Sequence, residues 1–148
     1  MNKLKFRKPL FLAALGLVFI LISTLIYFAG RETRLLKLGL QYVRIEELPN
    51  NATNIKVASE GGLMSRTVWI YFQTNNAEIE KLINTLKSAN PTRKSVLVAH
   101  HPGGGPKWFQ PNISMSTVFE IPQDKDANYG TLFIDTTAHS VYIKASHS

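Results

Sequence analysis

The chain has 148 residues, no cysteine and a formal net charge of +7. That excess is local: residues 1–44 hold eight basic residues against one acidic, and residues 45–148 hold nine of each. A neutral C-terminal portion has no basic footprint for a phosphate backbone, which excludes nucleic acid as partner. The missing cysteines exclude thiol catalysis, cysteine-type zinc sites and a lipid-modified cysteine anchor.

Residues 1–9 read as a basic cytoplasmic tail with Lys3, Lys5, Arg7 and Lys8. Residues 10–29, LFLAALGLVFILISTLIYFA, then run without a charge. As a helix they extend roughly 30 Å, the hydrocarbon thickness of a bilayer. Ser23 and Thr24 fit within it, because their hydroxyls can bond the helix's own carbonyls. The run is longer than a secretory signal core, and Tyr27 spoils the small-residue pattern before Ala29, so it reads as an uncleaved signal-anchor. The denser basic cluster on the N-terminal side favours an N-terminus inside and a C-terminal domain outside, periplasmic or extracytoplasmic.

Residues 30–47 form the next segment, an amphipathic juxtamembrane helix. On a helical wheel Arg34, Lys37, Gln41 and Arg44 share one side, and the leucines with Tyr42, Val43 and Ile45 spread over the other. Arg31, Arg34, Lys37 and Arg44 suit a helix lying on anionic lipid; equally, the apolar side suits packing on protein. Gly39 weakens the helix in either case.

Pro49 opens a small extracytoplasmic domain, residues 48–148. Ile55 and Val57 begin a first strand, and Glu60-Gly61-Gly62 is a turn. Residues 67–74, TVWIYFQT, alternate as a second strand, with Val68, Ile70 and Phe72 on one face and Trp69 and Tyr71 on the other. Asn75 caps a helix with Glu78 three residues on, and Ile79, Leu82, Ile83 and Leu86 make its apolar stripe. Further strands are predicted over residues 95–99, 116–121, 131–135 and 141–145, the last two as a hairpin. The order implies an α+β fold: an antiparallel sheet of about five or six strands with one covering helix, behind an N-terminal transmembrane helix.

Residues 100–112, HHPGGGPKWFQPN, make a loop longer than usual connections, and such loops carry function more often than short ones. His100, His101, Trp108 and Phe109, with Trp69 and Tyr71 of the aromatic sheet face, are the candidate ligand- or partner-binding residues. The triple glycine lacks the Gly-Lys-Ser/Thr ending of a phosphate loop. Adjacent histidines on an extended chain point to opposite sides, so no metal is expected. No Gly-x-Ser-x-Gly elbow is present. Asp135 reads as a turn-stabilising carboxylate near His139, and Asp124 and Asp126 read as solvated surface. No catalytic residues and no cofactor are expected.

The segments LPNNATNI (residues 48–55), PKWFQP (106–111), GTLFID (130–135) and VYI (141–143) together resemble uncharacterised extracytoplasmic domains that follow a bacterial membrane anchor. The resemblance covers about residues 48–145 and implies topology, without an activity. The expected function is a single-pass membrane protein presenting a non-enzymatic binding or accessory domain at the envelope, its partners membrane lipid and another envelope protein. The alternative is a ligand- or metal-binding or hydrolytic domain built on the loop from His100 to Trp108.

Overall fold

The computed structural model describes residues 7–62, 65–89 and 104–148. They form a long helix α1 (Arg7–Tyr42), strands β1 (Thr53–Gly61) and β2 (Arg66–Gln73), helix α2 (Asn76–Ala89), and strands β3 (Thr117–Ile121), β4 (Asn128–Asp135) and β5 (Ser140–His147). The strand expected over residues 95–99 lies outside the described residues. The fold is α+β, as its sequence pattern implies. The chain divides into two compact units, Met1–Arg34 and Leu35–Ser148.

In the first unit, none of the described residues packs over the helix from Leu12 to Tyr27. Every large apolar side chain from Leu12 to Tyr27 is at least half exposed, Phe19 at 73%. The helix is long and apolar enough to cross a membrane. Thr24 donates its hydroxyl to Ile20 O at 2.6 Å, so this polar group is satisfied within the helix. Arg34 turns back along its own helix, donating Nε–H to Gly30 O at 3.0 Å and setting its guanidinium 5.7 Å from the Tyr27 ring centroid.

The second unit is built on one five-stranded sheet, ordered β1-β2-β5-β4-β3, with every neighbouring pair antiparallel. Strand alternation sends Val68, Ile70, Phe72, Leu132, Ile134, Val141, Ile143, Phe119 and Ile121 to one face. Two helical pieces cover that face. One is α2, through Ile79, Leu82 and Leu86; the other is the C-terminal part of α1, through Leu40, Tyr42 and the following Val43. The apolar side of residues 35–43 therefore packs on protein, as Leu36 and Leu38 also do. Gly39 sits where this helix meets the sheet, with Val68 and Ile70 against its Cα.

The juxtamembrane helix stops at Tyr42, short of the expected Glu47. Arg44 takes a left-handed φ of 56°, and the Ile45 N–H bonds back to Leu40 O at 3.0 Å. This backward bond closes the last turn in the manner of a helix C-cap. The turn is fixed by an ion pair, Arg44 Nη2 to Asp124 Oδ2 at 3.3 Å. Asp124 also accepts the N–H groups of Asp126 and Asn128, both at 2.9 Å, so the carboxylate organises the β3–β4 loop and ties it to the end of α1. Its role is structural, where the sequence suggested solvated surface. The Asn128 N–H bond above all, with the Asn128 side chain, the Asp126 N–H and Arg44, holds its pKa below the ordinary carboxylate range.

A depressed folded-state pKa contributes stability above the unfolded value of about 4, and that contribution is lost as pH falls through the folded value. Asp124→Asn is therefore expected to melt below the parent protein at pH 7. The gap should shrink towards zero as both are acidified through the depressed folded-state value, below the ordinary carboxylate range. A gap that stays constant with pH would assign the loss to altered hydrogen-bond geometry and remove the charge from the account.

Asn75 caps α2 as its sequence predicts: Oδ1 accepts the Glu78 N–H at 2.9 Å. The Glu78 carboxylate pairs with Lys81 at 2.6 Å instead of reaching back to the cap. The final hairpin is also formed, with Asp135 opposite Ser140.

Candidate functional site

The sheet's second face carries a row of residues aligned across all five strands. Lys56 of β1 lies opposite Tyr71 of β2, Tyr71 opposite Tyr142 of β5, Tyr142 opposite Phe133 of β4, and Phe133 opposite Val118 of β3. Cross-strand neighbours on one face come within side-chain contact, so register alone assembles this row. The Tyr71 and Tyr142 rings pack 4.8 Å apart at 52°, and the Lys56 ammonium sits 5.3 Å from the Tyr71 ring centroid. That last distance suits a cation over a π face.

The segment from Gly104 to Ser116 crosses the β3–β4 end of this row and covers it. Phe109 is buried, edge-on to Phe133 at 6.3 Å and to Tyr142 at 5.5 Å. Trp69, Val118 and Phe133 complete a second apolar cluster, with Trp108, Ile113 and Tyr142 half-buried around it. The loop is shaped locally by the Phe109 N–H bonding Pro106 O at 2.8 Å and by the Ser116 hydroxyl bonding Asn112 O at 2.7 Å.

Gly105, at φ +108°, lies directly against the Trp69 indole: a Cβ there would stand 2.7 Å from Nε1. Only glycine meets both demands, the left-handed backbone and the close approach. The Trp69 Nε1–H is sealed beneath it, with no acceptor among the described residues.

The residues of this face and its cover therefore separate into two groups. Trp69 and Phe109 are core of the second layer and present almost no surface. Trp108, Tyr71, Tyr142 and Lys56 keep surface open to solvent. Local pattern alone does not single out Tyr142 and Lys56, although the alternation of residues 141–145 places Tyr142 on the face of Trp69 and Tyr71 once the strand order is known. Burial first, then the neighbouring Tyr71 and Asp135, raises the Tyr142 pKa above its ordinary value.

His100 and His101 lie outside the described residues. Asp135 Oδ1 accepts the N–H groups of Thr137 and Ala138, at 2.9 and 2.8 Å, and so supports the hairpin turn instead of orienting His139. His139 itself is exposed, at φ 53° in the same turn. Among the described residues no group of three His, Asp or Glu side chains is placed to hold a metal ion. Of the basic residues assigned to a membrane surface, Arg31, Arg34 and Lys37 are exposed, whereas Arg44 is engaged by Asp124.

A separate shallow groove runs between the α1–β1 connection and α2. Its floor is Ile45, Leu48, Leu82 and Leu86, and its rim includes Glu46, Glu47 and Lys81. The chain matches no family model, no curated protein and no solved structure.

Proposed function

We propose that the protein is a single-pass membrane protein that presents its Leu35–Ser148 unit outside the cytoplasm as a non-enzymatic contact domain. One observation carries the reading: sixteen successive helical residues, 12–27, are exposed, and among the described residues none shields the apolar ones. In water, an apolar surface that continuous is strongly unfavourable, and lipid is the medium that relieves it. The basic tail at residues 1–9 supports an inside N-terminus.

Contact with a neighbouring envelope protein takes place at the open part of the aromatic row, Tyr71 and Tyr142 flanked by Lys56 and Trp108. Rings with a polar tip bury large apolar area at low conformational-entropy cost, which suits them to protein interfaces.

Two measurements test the anchor and its orientation. Alkaline carbonate should leave the full-length chain in the membrane pellet. Release of a chain shortened by about three kilodaltons, the mass of a removed leader of signal-peptide length, would instead mark residues 10–29 as a cleaved leader. Because the chain has no cysteine, Thr136→Cys in the exposed β4–β5 turn supplies a single thiol. A membrane-impermeant maleimide should label it on intact spheroplasts; labelling only after lysis would reverse the topology.

A further inference from the structure

β1 is the long edge of the sheet. Among the described residues it pairs only with β2, and it runs nine residues, against five for β3 at the opposite edge. An edge strand of that length offers a row of unpaired backbone donors and acceptors, and natural sheets normally protect it with proline, charge or bulges. Here the bulge is confined to residues 53–56, and the register from Lys56 to Gly61 is regular.

The direction of the free groups follows from the turn. Gly62 N–H donates to Ser65 O at 2.8 Å, which makes these two a hydrogen-bonded pair. Alternation along the antiparallel ladder then turns the bonds of Glu60, Ala58 and Lys56 towards β2. The N–H and C=O groups of Val57, Ser59 and Gly61 face outward.

The side chains on this edge are complementary to themselves. Lys56 and Glu60 are both exposed, stand on the same face two positions either side of Ala58, and take part in no ion pair among the described residues. An antiparallel copy centred on Ala58 sets Lys56 opposite Glu60 of the second copy, and Glu60 opposite its Lys56. In that register Val57 and Ser59 of the two copies exchange their free backbone bonds. Ala58 faces Ala58 across the axis, where a small side chain admits close approach. Shifting the centre by one residue loses both charge pairs. The β3 edge has no such symmetry, since Glu120 is its one charged residue.

We propose that β1 pairs with β1 of a second copy of this chain, centred on Ala58, to form a two-fold dimer with a continuous ten-stranded sheet. The interface is isologous, as a two-fold contact requires. It is closed by two Lys56–Glu60 pairs, and cross-strand opposite charges favour such a register while like charges oppose it.

The absence of native cysteine makes the test direct. Ala58 and its copy form a non-hydrogen-bonded pair, in which Cα atoms lie about 4.5 Å apart, within the reach of a disulfide. Full-length Ala58→Cys protein, oxidised in detergent micelles, should run mainly as a covalent dimer. Glu120→Cys, on the other edge, should stay monomeric. Adding Lys56→Glu to Ala58→Cys places like charges opposite each other and should cut the rate of dimer formation about tenfold. Adding Glu60→Lys as well should restore it. Circular dichroism of each variant should match the parent, because both charged residues are exposed. The proposal is overturned if Ala58→Cys remains monomeric, or if it cross-links at the same rate whatever charges stand at positions 56 and 60.

Discussion

Phe109→Ala is expected to lower the unfolding free energy of the Leu35–Ser148 unit by about 3–5 kcal/mol, the range for deleting a buried aromatic ring. Phe109 is 5% exposed, and its ring packs edge-on against Phe133 and Tyr142 of the sheet. Removing it takes away the transfer term and leaves Phe133 and Tyr142 lining a void that the loop backbone, held by Pro106 and Pro111, cannot readily collapse into. Trp108→Ala should cost less, about 1–2 kcal/mol, because that ring is only half-buried and gives up less apolar contact. The order matters more than either figure: the neighbour with the larger side chain is expected to matter less for stability. Both tryptophans of the chain, Trp69 and Trp108, sit in this layer. Their emission should shift to the red in Phe109→Ala before global unfolding, as the loop lifts from Trp69. Equal losses for the two variants, or emission unchanged in Phe109→Ala, would mean that the loop is not held through Phe109.

This layer also shows where local pattern informs and where it stops. The alternation of residues 67–74 separates Val68, Ile70 and Phe72 from Trp69 and Tyr71 correctly, because a strand's period of two is a property of the backbone itself. The cap at Asn75 and the stripe of α2 are equally local, and the structure has both. Which side of the sheet meets which cover is not local. An apolar helix face has the same pattern whether lipid or protein lies against it, so residues 31–47 fit either reading by pattern, and the burial of Leu40 and Val43 on the sheet is what distinguishes them. In the same way, large rings on a second sheet face and in a Gly/Pro-rich loop fit either a contact surface or a covered layer, and Trp69 and Phe109 lie buried in one apolar cluster.

Asp124 is the clearest difference between local pattern and structure. Its partner Arg44 is 80 positions away in sequence, and that bond depends on how α1 ends. The local part was legible: an aspartate followed by backbone N–H groups at the second and fourth positions is a turn that a side-chain oxygen can organise. His147 belongs to the same end of the sheet, its ring stacked 5.6 Å from Tyr42 and its Nδ1 3.2 Å from Asn128 Oδ1. Strands β4 and β5 run further than their hydrophobic alternation suggests, to Asn128 and His147, because these polar pairs extend the ladder beyond the apolar core.

Gly130→Val is expected to be strongly destabilising, costing about 3 kcal/mol or more. Gly39 and Gly130 both mark places where a helix or its end comes down on the sheet, but their surroundings differ in what can yield. At Gly39 an added Cβ would stand 2.8 Å from Val68 Cγ1 and from Ile70 Cδ1, and 3.2 Å from Val68 Cβ, with no backbone atom among them. Rotation can relieve part of that clash, and alanine gains about 1 kcal/mol of helix propensity over glycine. Gly39→Ala is therefore expected to cost only about 1–2 kcal/mol net. At Gly130 the added Cβ would meet Val43 Cγ1 at 2.6 Å and, on the backbone of the adjacent strand, Lys144 O at 2.7 Å. The carbonyl belongs to the β4–β5 ladder and cannot move without breaking sheet bonds, so nothing compensates. Thermal melts of the full-length protein should show Gly130→Val down by about 10 °C or more and Gly39→Ala down by only a few degrees. Gly62→Ala, with nothing within 4 Å of the added carbon, should leave the midpoint nearly unchanged. Combining Gly130→Ala with Val43→Ala removes one of the two obstructions, so the pair should lose less than the sum of the single changes while still falling below the parent. Strict additivity would place Val43 out of contact with Gly130 and detach the end of α1 from the sheet.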